Sequence, residues 1–233
     1  MCSVPADHEA DRKAKPDQDL TARARIRDAA ITLFGDRGFD GTGMRAIAAS
    51  AGVSPALVIH HFGSKAGLRR VCDEYVAAVV RTTKQEAMTA GPPDPLELLR
   101  TADEAQPLLR YVARMLVDGS PGVADLVDTI VSDAVDYMAA GVQAGTLRPS
   151  DMPYERAVLL CIWQLGSIAL HAHVKRLIGV DLLGDRAAIL RWGRPALEVF
   201  THGLFTDDRW EKAVAGLDED QLKNGESGGT DER

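Results

Sequence analysis

Cysteine is scarce and scattered: Cys2, Cys72 and Cys161 are the three in the chain. An odd number at such spacings excludes a disulfide framework and leaves no CxxC pair for zinc or redox chemistry, which fits a reducing, cytoplasmic setting. Aromatic residues make up 5%, too few for an aromatic-rich sheet core. Long apolar runs are missing as well. The longest nearly apolar stretch, 157–170, is interrupted by Gln164 and falls short of the roughly 18–20 residues that span a bilayer. The residues after Met1, CSVPADHEADRKAKPDQD, lack the apolar centre of a secretory signal. A soluble protein without membrane association is expected. Catalytic signatures are absent too: no glycine-rich phosphate loop, GxSxG, HExxH or EF-hand pattern occurs. An enzyme is therefore not expected, and no cofactor is implied. The neighbouring histidines His60 and His61, and likewise His171 and His173, diverge around a helix and cannot share one ion, so no metal site is expected.

What the sequence has in abundance is Ala, Leu and Val within a 45% apolar content, which favours helices over strands. An all-α fold is predicted. The net charge of −7 argues weakly against a nucleic-acid partner, but the charge is segregated along the chain. Residues 21–70 carry +5, residues 1–20 carry −2, and residues 71–233 carry −10. Such a basic block holds phosphates locally, while an acidic body repels a polyanion and limits which face approaches it.

Inside the basic block, Ile26, Ala29, Ala30, Leu33 and Phe34 follow i, i+3, i+4, i+7, i+8 and predict an amphipathic helix that ends at Arg37-Gly38. Thr42 is placed to cap a second helix, with Met44, Ile47, Ala48 and Ala51 as its apolar face. Gly52 ends it. Ser54 then caps a third, short helix with Pro55 at its first position, and Gly63-Ser64 stops that helix and caps the next, which opens on Lys65. Two short helices joined by a tight glycine turn and braced by a longer one form a helix-turn-helix. Taken alone, this pattern serves DNA reading in the major groove or an inert structural bundle.

Residues 21–70, TARARIRDAAITLFGDRGFDGTGMRAIAASAGVSPALVIHHFGSKAGLRR, resemble the amino-terminal domain of the tetracycline-repressor (TetR) family of transcription regulators. The matching elements are Ala29-Ala30 with Leu33-Phe34, Gly38-Phe39, Thr42, the run from Met44 to Ser54, the His60–Phe62 triplet, and Ser64-Lys65. The resemblance implies an amino-terminal three-helix DNA-binding domain followed by a larger helical domain for ligand binding and dimerisation. Ile59 stands where the family's usual pattern has a tyrosine that contacts the DNA backbone. Phosphate contacts are therefore expected from Thr42, Ser54, His60 and Lys65, from helix-start N–H groups and from first-helix arginines. Arg45 matches a family position that reaches guanine, and it is the candidate base reader. Pro55, Ala56 and Leu57 offer apolar contact to thymine methyl groups and His60 a donor to a base or a phosphate; Ile59 also faces outward toward DNA, whereas Val53, Val58 and Phe62 are expected to face the core.

The expected domains are an extension without fixed structure at 1–18, the DNA-binding domain at 19–66, the effector-binding and dimerisation domain at 67–207, and an acidic tail without fixed structure at 208–233. Breaks at AGPPDP, DGSPG, AGTLRPSDMP and IGVDLLGD predict helices near 65–88, 95–117, 122–143 and 153–178, with a final one ending near Phe205. Pro195 leaves the start of that last helix open. The helix from Tyr154 to about His173 has almost no polar face, so it is expected to pack on its own domain and on a second copy. Homodimerisation is assigned to helices near 153–178 and 194–206. Two heads would meet a roughly palindromic double-stranded DNA operator, and the resemblance implies repression relieved by a small-molecule effector of unknown identity. A helical interaction module without specific DNA binding is the alternative.

Overall fold

In the computed structural model, residues 7–119 and 122–215 are described. Ten helices and no strands occur among them: α1 Asp7–Arg37, α2 Met44–Ala51, α3 Pro55–Phe62, α4 Lys65–Ala90, α5 Pro95–Asp118, α6 Val123–Gln143, α7 Pro153–Ala169, α8 His171–Ile178, α9 Ala188–His202 and α10 Arg209–Ala215. Residues up to Leu190 form one compact unit and those from Arg191 a second.

The helix ends follow the local chemistry. The Ser64 hydroxyl accepts the Gly67 N–H at the start of α4, and the Asp94 carboxylate accepts the Leu96 N–H at the start of α5 beside Pro95. Each satisfies a donor that has no intrahelical partner. In the first unit, α1 packs on α2, α4 and α5, and α6 packs on α4 and α7. The α6 stripe Leu126, Ile130, Ala134, Tyr137 and Met138 is buried, as are Ala157, Cys161 and Leu165 of α7. These side chains continue into the α1–α4 core as one apolar cluster. The Thr146 hydroxyl donates to the Met88 carbonyl at 2.5 Å, tying the α6–α7 connection to the end of α4. Helix α4 thus lines both the amino-terminal cluster and the body.

Several expectations need correction. Helix α1 begins at Asp7, with Pro16 inside it, where an extension without fixed structure is expected over 1–18. Helix α10 likewise falls inside the predicted acidic tail, whereas residues 216–233 lie outside the described residues. The single helix expected over 153–178 is two helices bent by 74°. Leu170 leaves helical geometry at φ −95°, ψ 19° while its N–H still reaches the Gly166 carbonyl. Neither proline nor glycine marks that position, so the pattern gave no warning. Pro195 lies inside α9. No single described helix is long and apolar enough to cross a membrane.

Candidate nucleic-acid interface

Helices α2 and α3 are held by their buried faces. Ile47, Ala48 and Ala51 of α2 and Val58 and Phe62 of α3 pack with Ile26, Ala30, Leu33 and Phe34 of α1 and with Leu68 of α4. The turn between them requires glycine: Gly52 is left-handed at φ 65°, ψ 39°, a conformation that costs a side-chain-bearing residue about 1 kcal/mol. Its N–H donates to the Ala49 carbonyl, and the Val53 N–H to the Ala48 carbonyl at 3.0 Å. Val53 itself is half-buried. At the start of α3 the Leu57 N–H donates to the Ser54 hydroxyl oxygen at 3.2 Å, with Pro55 in the first turn. The cap leaves the Ser54 O–H free to donate outward.

Arg45, Ser54, Pro55, Ala56, Ile59 and His60 are all exposed. Ile59 is 55% exposed, an unusual position for a large β-branched side chain unless a partner covers it. Leu57 is half-buried, so less of it faces outward than expected. Lys65 is half-buried as well, with its ammonium 4.3 Å from the Phe39 ring centroid. His61 packs edge-on to Phe62 at 6.0 Å.

Thr42 departs from its two expected roles. Its side chain is 1% exposed, and its hydroxyl lies 2.8 Å from the Gly38 carbonyl and 3.0 Å from that of Leu33. The hydroxyl is spent on the last turn of α1 and faces away from any phosphate. The residue that caps α2 is Gly43, which supplies no side-chain bond. This leaves the first N–H groups of α2 without a side-chain partner and makes that helix start a ready anion seat. Sequence reasoning expected helix-start N–H groups to meet phosphate but placed the cap at Thr42, threonine being the better capping residue; the adjacent glycine was the signal.

The basic block is also thinner at the surface than its composition suggests. Arg69 is 4% exposed. Arg27 lies 3.5 Å from the Tyr75 ring centroid and pairs with Asp28 at 2.7 Å. Arg70 is within 3.8 Å of Glu74. A second cluster that sequence reasoning missed joins head to body: the Tyr111 hydroxyl of α5 donates to Asp73 Oδ1 at 2.5 Å, and Asp73 Oδ2 is 3.4 Å from Arg69 Nε. Burial pushes the Asp73 carboxyl above the usual carboxylate range, against the opposing pull of the Tyr111 hydrogen bond and the Arg69 charge. Burial also raises the Tyr111 phenol, with the Asp73 charge adding to it. The i, i+4 spacing of Arg69 and Asp73 beside Leu68 and Cys72 was the available clue.

A head with this turn, set on an all-helical body, matches known proteins over most of the chain. Residues 26–72 match the family of bacterial regulatory proteins, tetR family, and residues 103–206 match the tetracyclin repressor-like C-terminal domain. The HTH-type transcriptional regulatory protein RaaS of Mycobacterium tuberculosis is 42% identical over 194 residues, covering 81% of this chain and 89% of that protein. The chain belongs to the TetR family. The HTH-type transcriptional repressor Rv3405c of the same organism is 35% identical over 130 residues, covering 52% of this chain and 64% of its own. Among solved structures, a TetR-family transcriptional regulator from Rhodococcus sp. aligns with TM-score 0.55 at 21% identity, covering 78% of this chain and 98% of that one. FadR of Bacillus subtilis, in complex with stearoyl-CoA, aligns with TM-score 0.52 at 13% identity, covering 78% and 99%. As a TetR-family member the chain is a helix-turn-helix, DNA-binding transcription regulator and not an enzyme.

Proposed function

We propose that the chain is a cytoplasmic homodimeric repressor that grips a roughly palindromic operator with two α2–α3 heads and releases it when a small molecule binds the helical body. The observation that carries this reading is the shared exposure of Arg45 on α2 and of Ser54, Pro55, Ala56, Ile59 and His60 at the cap and outer face of α3. Arg45 is assigned to guanine, which its guanidinium can meet with two parallel hydrogen bonds. Pro55, Ala56, Leu57 and Ile59 meet thymine methyl groups; Ser54, His60, Lys65 and the α2 helix start meet phosphates. Two heads are needed because the few phosphate contacts of one give only weak, non-specific binding at physiological salt. They must reach successive major grooves about 34–36 Å apart.

The second copy is also what the outer face of α7 calls for. Leu159 is 67% exposed and Ile162 54%, so the helix expected to be covered on both sides is covered on one. In the second unit, Leu197 and Phe200 of α9 are exposed too. Support for a small-molecule effector comes from the stearoyl-CoA complex of FadR, a protein of the same fold. A ligand that prefers the body with its heads wrongly spaced shifts the population away from DNA by as much as its differential affinity.

The test is a gel shift on the DNA upstream of the chain's own gene, run across salt. Arg45→Ala should relax sequence preference at a cost of about 1–3 kcal/mol, whereas Lys65→Ala should weaken binding to every sequence and flatten the salt slope by about one. An Arg45→Ala chain that keeps the parent's sequence preference would overturn the base-reading assignment. A parent that shows no preference at all would leave a helical interaction module instead.

A further inference from the structure

Between the head and the body lies a buried polar relay that the DNA-reading surface does not itself contain. It begins on α5, whose backbone rests directly on α1: a Cβ added to Gly35 would stand 3.0 Å from the Tyr111 nitrogen and 3.3 Å from the Arg110 carbonyl carbon. The Tyr111 ring lies 6.4 Å from Phe34 between centroids, and its hydroxyl donates to Asp73 on α4. Asp73 faces Arg69, one turn earlier on the same helix. Arg69 is buried, and its Nε and one terminal nitrogen have no hydrogen-bond acceptor. Its charge is therefore offset by the Asp73 carboxylate and by the face of Phe39, 5.3 Å from its Cζ. Lys65 lies over the same Phe39 ring.

Phe39 is the step from charge to geometry. It sits in the turn after α1, its carbonyl accepts the Thr42 N–H at 3.2 Å, and Thr42 leads through Gly43 into Met44 and Arg45. A buried guanidinium cannot exchange its carboxylate for water where it stands; deprived of the partner, it must move outward or leave an uncompensated charge inside. Either course disturbs the ring that it faces. We propose that Asp73 is a positioning residue for DNA reading: held by Tyr111, it fixes Arg69 against Phe39 and so sets where Arg45 meets a base edge of the duplex. This rests on the reading of Arg45 as a base contact. It gives α5 of the body a route to the reading head that does not pass through α3.

Tyr111→Phe tests the relay with least damage, since it keeps the ring and removes only the hydroxyl. Phe39→Leu, which keeps apolar volume but removes the ring face, serves as the second variant. Full-length chains are compared for helix content, thermal midpoint, and affinity for the duplex that the parent protects in a footprint of its own promoter, alongside a scrambled duplex. With folded fractions equalised, both variants should bind the protected duplex about fivefold more weakly or worse, the lower end of coupling between sites, while the scrambled duplex and the salt slope stay at parental values. In an Arg45→Ala background the loss should shrink to under about twofold, because contacting residues couple while independent ones add. Parental discrimination in both variants, or an undiminished loss in the Arg45→Ala background, overturns the proposal. A parent that binds both duplexes alike removes the base-reading assignment first, and the relay's function with it.

Discussion

Thr42→Val separates two roles that the same residue could have played. The substitution exchanges a hydroxyl for a methyl of similar size at a side chain 1% exposed, so shape is kept and the donor is lost. Two carbonyls are affected, those of Gly38 at 2.8 Å and Leu33 at 3.0 Å; one O–H can fully serve only one of them at a time. The expected cost is that of one buried acceptor left short of its donor, about 1–3 kcal/mol. For a domain of this size each kcal/mol moves the melting midpoint by about 2–4 °C, so a fall of about 2–12 °C is expected by calorimetry or circular dichroism. Thr42→Ser keeps the hydroxyl and loses one methyl, costing about 1 kcal/mol. DNA binding by the folded fraction is the second readout. A brace loses stability without changing the number of phosphates neutralised, so the salt slope of the valine variant should equal the parent's. An unchanged midpoint together with weaker binding to all DNA would refute the reasoning and restore Thr42 as a backbone contact.

Two further outcomes are expected. Burial lowers the Lys84 ammonium below its ordinary 10.5, so the native state binds fewer protons than the unfolded chain between the lowered value and 10.5, and stability rises with pH across that window. Lys84→Met should raise the melting midpoint at neutral pH and flatten this alkaline rise; a variant that melts below the parent at pH 7 would show that the ammonium is held by more than its surroundings supply. Leu159→Glu should split the proposed dimer: covering a leucine that is 67% exposed contributes roughly 1–2 kcal/mol per copy, so sedimentation should show association weakened by about 30-fold or more with helix content intact. Retention of the parental mass would move the interface away from α7.

How much was legible follows from where the chain marks itself. Helix ends at Arg37, Ala51, Phe62 and the starts of α3, α4 and α5 coincide with glycine, serine, aspartate or proline, whose backbone or capping chemistry is local and therefore readable. Val58 and Phe62 were assignable to the core from spacing alone, and both are buried. What escaped depended on distant partners. Thr42 has the chemistry of a cap, but carbonyls of α1 claim its hydroxyl, and no local pattern reveals that competition. Arg69 was counted among the surface cations because it is an arginine; it lies inside because α5 delivers Tyr111 to Asp73 across 38 positions of sequence. The α7–α8 bend has no sequence breaker, so only the packed chain discloses it.

That inward arginine changes what the charge of the head can do. Eight basic residues in 21–70 suggest a strongly cationic surface, yet Arg69 is buried, Arg27 is engaged with Tyr75 and Asp28, and Arg70 with Glu74. The cations left to meet phosphate or base are Arg23, Arg25, Arg37, Arg45 and Lys65 in each head. Counterion release then limits the salt slope of a two-headed complex to no steeper than about −9, and Arg37 at the far end of α1 or Arg45 on a base edge would make it shallower. On the proposed reading, specificity rests on few charges and much apolar fit, for which Pro55, Ala56 and Ile59 are exposed. A slope steeper than about −9 would mean that further cations reach the duplex, either Arg70, Arg12, Lys13 or Lys15, or those of the acidic body; in the last case the repulsive role assigned to that body would be wrong.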